Sequence, residues 1–311
     1  MTEPQTFTPQ GWREALVARV LCTALRCLLK PVFSPRCPIR FQRLWLRLMA
    51  QATRMPAGVR TESAHIGGCT GEWFFPLTSD STPQATLLYL HGGAYCLGSP
   101  ATHRALTARL AQASGLRVLS LDYRLAPEHP FPAALEDATA ACLALQAQGP
   151  VLLAGDSAGG GLALSTALTL RDQGLPLPVA LLLLAPWADL SPSTPVSVPS
   201  GEVMLSLPWA QACAAHYLSG DGADQGLASP LHQPLHGLPP TLIQVGTDDM
   251  LCTQAMALHH ALEQAGVTSR CEVTAHRWHV FQMHADVLPS AQEAIARLAT
   301  FAKTQAASAQ A

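Results

Sequence analysis

Six short, mainly apolar runs recur from residue 85 onward: ATLLYL (85–90), RVLSLD (117–122), VLLAG (151–155), VALLLLA (179–185), TLIQVG (241–246) and RCEVT (270–274). A strand with one wet face alternates apolar and polar residues, whereas a strand covered on both faces reads as a nearly continuous apolar run. Helix-like segments lie between the runs, near 102–113, 132–147, 158–173, 253–265 and 290–304, with Gly149, Gly174 and Gly266 as stops. This alternation predicts an α/β fold, a mostly parallel sheet flanked on both faces by helices. With 49% hydrophobic and 13% charged residues among 311, the chain has ample material for that core.

Two stretches depart from the rhythm. Residues 11–54 read as helical: Leu16, Val20, Leu25 and Leu28 keep a three-to-four spacing, and Trp45, Leu46, Leu48 and Met49 follow after the prolines at 31, 35 and 38. No strand is expected before them. Residues 187–240, rich in proline, serine and glycine, are too long for a plain connection and read as an insertion near a site.

The chain begins MTEPQTF, and the apolar segment behind it is interrupted by Arg13, Arg19, Arg26 and Lys30, so neither a signal peptide nor a membrane span is expected. The nine cysteines are odd in number, with no Cys-x-x-Cys pair, which points to reduced thiols in a cytoplasm and away from metal ligation. A net charge of −2, read as coming without a basic stripe or an acidic tail, offers no electrostatic case for nucleic acid or for an anionic membrane surface.

GDSAG (155–159) stands where a strand is expected to end and a helix to begin. Ser157 would be pushed above the sheet on a tight turn, and side chains at positions 155 and 159 would collide with neighbouring backbone. A phosphate loop fits less well, because the Walker lysine and a G-x-G-x-x-G after the first strand are both missing. HGGAYCLGS (91–99) directly follows an expected strand. His91, Gly92 and Gly93 resemble a loop whose amides, with that of Ala158, would face a developing oxyanion; Ala94 stands where a third glycine is common.

A serine nucleophile needs a base, and the base needs a carboxylate to orient it. VGTDDML (245–251) and AHRWHVF (275–281) each follow an expected strand, and Asp249 and His279 are the preferred pair. Asp248 and His276 are rivals in register, and His284 is a weaker one. Glu128, His129, Glu136 and Asp137, in DYRLAPEHPFPAALEDA (122–138), are given no catalytic role: the prolines there shape a turn and a helix start.

Taken together, HGGAYCLGS, DYRLAPEHPFPAALEDA, GDSAGGGLAL, APWADLS, LPPTLIQVGTDDML and WHVFQM resemble the hormone-sensitive-lipase-like esterases of the α/β-hydrolase fold, over roughly residues 84–305. The resemblance implies Ser157, Asp249 and His279 as a triad, oxyanion amides at Gly93, Ala94 and Ala158 with Gly92 as a further donor, and no metal or cofactor. It also implies a helical cap over residues 1–55, a catalytic domain over 56–311, and a pocket wall from the 187–240 insertion. A second acid, frequent in the family four positions after the catalytic aspartate, is replaced by Thr253. The expected substrates are short- to medium-chain acyl esters, with lactones as the alternative. A receptor that has lost the base is disfavoured by His279, and homodimerisation through a strand or helix of the last third is compatible with the sequence.

Overall fold

The computed structural model describes residues 2–77, 85–191, 196–219 and 226–309. The chain enters through a short strand, β1 (Gln5–Phe7), and two helices, α1 (Trp12–Leu28) and α2 (Ile39–Ala50). A hairpin of β2 (Val59–Ile66) and β3 (Cys69–Pro76) follows. The alternating part then runs β4 (Thr86–Leu90), α3 (Pro100–Ser114), β5 (Arg117–Asp122), α4 (Ala133–Gln146), β6 (Val151–Asp156), α5 (Ala158–Asp172) and β7 (Leu181–Leu184). After α6 (Leu207–Tyr217) come β8 (Thr241–Gly246), α7 (Cys252–Gln264), β9 (Ser269–Thr274) and α8 (Pro289–Ser308).

The nine strands form one sheet in the order β1-β9-β8-β7-β6-β4-β5-β3-β2, antiparallel only where β3 meets β2 and β5. Every residue of β4, β6, β7 and β8 is buried, which explains their unbroken apolar runs. From β4 the chain steps outward to β5 and then returns past β4 to β6, reversing its direction of travel. Right-handed crossovers therefore put α3 on one face and α4 and α5 on the other. The contacts agree: α3 packs on α8, and α4 on α5. The loops leaving the carboxyl ends of β4 and β6 diverge at this reversal and leave a crevice.

One expectation needs correction, and the structure adds two further elements. A strand does precede the helices: β1 pairs in parallel with β9, Phe7 opposite Thr274. Three residues without a strong apolar signature gain strand character only from the edge they dock on. The β2–β3 hairpin extends the sheet before residue 85, turning through Gly67 (φ 58°) and Gly68 (φ 85°). Its outer strand carries Arg60, Glu62 and His65, as an edge facing water should, so a search for apolar runs passes over it. The 187–240 insertion also contains an ordered helix, α6.

Candidate active site

Ser157 alone makes the corner between β6 and α5, at φ 53° and ψ −121°. Such a conformation costs on the order of 1–3 kcal/mol and persists only where surroundings enforce it. Here the Ser157 N–H donates to the Leu184 carbonyl at 2.8 Å, while its own carbonyl accepts from Trp187 at 2.8 Å and Gly161 at 3.1 Å. A β-carbon on Gly155 would strike the backbone of Gly159, and one on Gly159 would strike the Leu90 carbonyl. The small residues around the serine are a steric requirement.

The loop after β4 bends through Gly93 (φ 127°), Ala94 (φ 52°) and Tyr95 (φ 60°). It is closed by the amides of Cys96 and Leu97, both donating to the Gly93 carbonyl. Among the described residues, the amides of Gly93, Ala94 and Ala158 donate no hydrogen bond. Gly92 differs, because its N–H donates to Asp156 Oδ1 at 2.9 Å. That engagement removes Gly92 from the expected oxyanion set. It is glycine for another reason: a β-carbon there would run into the Asp156 carboxylate.

Asp156, which the sequence showed only as the variable residue of GDSAG, anchors this loop. Its Oδ1 also accepts from the Tyr89 hydroxyl at 2.6 Å, and its Oδ2 lies 3.3 Å from His103 Nε2. Burial opposes both charges, yet mutual attraction and hydrogen bonding outweigh it, lowering the Asp156 pKa and raising that of His103. His91, buried and beside His103, is pushed down to about 3 and stacks on Tyr123 at 4.3 Å. Nothing local marks this cluster, since Tyr89 reads as strand core and His103 as one residue of a helix.

Asp249 and His279, on the loops after β8 and β9, meet each other. His279 Nδ1 lies 2.9 Å from Asp249 Oδ2, and Asp249 Oδ1 accepts from the Leu251 amide at 2.8 Å. Burial disfavours the imidazolium, but the Asp249 charge and hydrogen bond prevail, with smaller contributions from Glu202 and Asp156, so the His279 pKa is raised. Of the rivals, His276 is exposed on a left-handed turn at φ 56°, and the Asp248 side chain lies against Gly201. His284 lines the cavity but sits tilted against the Trp278 ring at 5.6 Å, its pKa lowered by burial to about 4.

The carboxylate missing at Thr253 has a counterpart from the insertion. Glu202 is 2% exposed; its Oε2 accepts from Met250, next to Asp249, and its Oε1 from Met204 and Leu205. Acids without a catalytic assignment have structural partners: Arg43 of α2 pairs bidentately with Glu128, and Arg124 bonds Glu136 and Asp137.

Gly93, Ala94, Ser157 and His279 all line one cavity of about 350 Å³. The rest of its wall is largely apolar, supplied by α1, the link after it and α2 (Leu25, Leu29, Met49) and by the insertion (Met204, Leu205, Trp209). Phe33 stacks on Trp209 at 4.7 Å and Gln42 accepts from the Trp209 indole at 2.8 Å, joining the helices to the insertion.

A parallel sheet wound on both faces, with a strained serine between β6 and α5 and an acid–histidine pair on the loops after β8 and β9, defines an α/β-hydrolase. Comparison with known proteins agrees. A family model described as alpha/beta hydrolase fold matches residues 87–283. An acetyl-hydrolase of Streptomyces hygroscopicus is 44% identical over 245 residues, 77% of this chain and 81% of that protein. An esterase of Acinetobacter venetianus is 35% identical over 252 residues, 78% of this chain and 82% of that protein. The solved structure of an esterase from the bacterial hormone-sensitive lipase family superposes with a TM-score of 0.86 at 35% identity, covering 96% of this chain and 99% of that one. The chain belongs to the α/β-hydrolase family, among the bacterial hormone-sensitive-lipase-like esterases, and is an ester hydrolase.

Proposed function

We propose that Ser157, His279 and Asp249 form the catalytic triad of a carboxylesterase that works through an acyl-enzyme. His279 Nε2 takes the Ser157 proton as Oγ attacks the ester carbonyl; Asp249 holds Nδ1–H and stabilises the imidazolium. The amides of Gly93, Ala94 and Ala158 receive the oxyanion. Collapse of the tetrahedral intermediate releases the alcohol, protonated by His279. A water, deprotonated by the same imidazole, then frees the acid.

The observation that carries this reading is the buried 2.9 Å Asp249–His279 pair, with His279 opening onto the cavity that Ser157 also lines. A modest, mainly apolar cavity suits short to medium acyl groups, with residues 1–55 acting as a cap over them. The related acetyl-hydrolase, and a solved structure of the similar EstE5 whose crystal was soaked by p-nitrophenyl butyrate, accord with that size range.

A fluorophosphonate label followed by peptide mapping tests the nucleophile. Label on Ser157, and loss of turnover on the order of 10⁴-fold in a folded Ser157→Ala, are expected. Label on Ser99 or Ser165 would overturn it. A panel of nitrophenyl esters and lactones sets the substrate class, and lactones hydrolysed faster than every ester would displace the ester reading.

A further inference from the structure

The net charge of −2 conceals a strong segregation. Residues 1–55 hold nine of the nineteen Lys and Arg but two of the twenty-one Asp and Glu, leaving ten cations against nineteen acids in the remainder. The expectation that an anionic surface has no electrostatic partner here took the near-neutral total to come without a basic stripe, and the first 55 residues are such a stripe. Arg13, Arg19, Arg36, Arg40, Arg47 and Arg54 are exposed and form no salt bridge with a described carboxylate.

Large exposed apolar side chains concentrate in the same segment. Of eleven among the described residues, eight lie within residues 1–55, including Trp12 (72% exposed), Leu16, Val20, Phe41, Leu44 and Leu48. At ~100° per residue, Trp12, Leu16 and Val20 span about 80° of the α1 surface, flanked by Arg19 and Arg26 on one side and Arg13 on the other. On α2, Leu44, Leu48 and Phe41 form a second stripe, bordered by Arg40 and Arg47. The inner sides of both helices wall the substrate cavity, and Leu28 and Val287, both exposed, line it.

We propose that the outer face of α1 and α2 docks on an anionic phospholipid surface, with the arginines against headgroups and Trp12, Leu16, Val20 and Phe41 in the interfacial layer, so that the cavity mouth is presented to lipid-dissolved esters. Exposed apolar stripes edged by arginine have the chemistry of an interfacial helix. A second copy fits worse: a symmetric contact through this face would set one cationic segment against another. The proposal goes beyond the esterase reading and does not depend on which residues carry the chemistry.

The test is co-sedimentation of the full chain with phosphatidylcholine vesicles, with and without phosphatidylglycerol. Binding is expected only with phosphatidylglycerol and should weaken as salt shortens the screening length. Arg40→Gln with Arg47→Gln should lower partitioning about tenfold or more, as should Trp12→Ser with Leu16→Ser and Val20→Ser. Both sets should leave hydrolysis of a dissolved, monomeric ester unchanged, which reports an intact fold. Ser157→Ala should bind vesicles like the parent, so failure of the docking surface and failure of the triad are distinguishable. Equal sedimentation with both vesicle types, or wild-type binding by both variant sets, would overturn the proposal. So would a dimer in light scattering that Trp12→Ser with Leu16→Ser and Val20→Ser converts to a monomer, since a second copy would then cover this face.

Discussion

Ala94 is held at φ 52°, where a β-carbon is strained, yet what the proposed chemistry needs there is an N–H. Ala94→Gly keeps the donor and relieves the strain, so turnover near the parent value and an equal or slightly higher unfolding midpoint are expected. Ala94→Pro removes the donor, and turnover should fall roughly 10²-fold or more, read only where circular dichroism and serine labelling show an intact site. The histidine sets the pH response. In the proposed triad the His279 imidazole must be neutral to accept the Ser157 proton, and its raised pKa should place the acid limb of kcat/KM above the ordinary value of 6.5, with activity lost as pH falls through it. Asp249→Asn should move that limb to lower pH while cutting turnover on the order of 10⁴-fold. Glu202→Gln should move it the same way by less. His276→Ala, on an exposed turn, should leave both rate and limb in place; a dead His276→Ala beside an active His279→Ala would reverse the assignment.

At the scale of elements, α1 and α2 have two working faces. Leu29 on the link after α1 and Met49 within α2 help wall the cavity. Leu29→Ala with Met49→Ala should therefore widen the pocket and shift the optimum in a nitrophenyl ester series toward longer acyl chains, with little change in the rate of serine labelling. An unchanged chain-length profile would mean that acyl groups bind elsewhere. Deleting the first forty residues would not isolate this effect. It would also strip β1 from β9 and remove Glu14 from its buried partner Arg277.

That ion pair joins distant parts of the molecule. Arg277 Nη2 donates to Glu14 Oε1 at 2.6 Å, its Nε donates to Ser290 Oγ at 2.9 Å, and its carbonyl accepts from Asp248. The start of α1, the loop carrying His279 and the start of α8 are thereby tied at one point. Removing one partner of a buried pair strands the other charge, so Glu14→Gln should destabilise by roughly 3 kcal/mol or more, measured as a lower urea midpoint at unchanged slope. Burial raises the Glu14 pKa, but bonds from Ser290 and Arg277 outweigh it and the net shift is downward. A depressed carboxylate stabilises above its unfolded value of 4.5 and loses that contribution as pH falls through the folded value. The gap between parent and Glu14→Gln should accordingly close in strong acid.

The amino-acid sequence by itself determined what short-range sterics and periodicity control. The six apolar runs marked the strands β4 to β9, and Gly155 and Gly159 marked a corner too tight for side chains. Tertiary structure decided what depends on segments far apart in the chain. Whether Asp248 or Asp249 meets His276 or His279 follows from how the loops after β8 and β9 face each other, thirty residues apart. The Gly92 amide could not be known to be engaged until Asp156 was placed beneath it. Glu202 reaches Met250 only because the insertion folds back over the sheet, and β1 is a strand only because β9 offers an open edge. The charge of the first 55 residues is written in the chain, but that its arginines and apolar side chains stand outward together is a property of helices packed by their other faces onto the cavity.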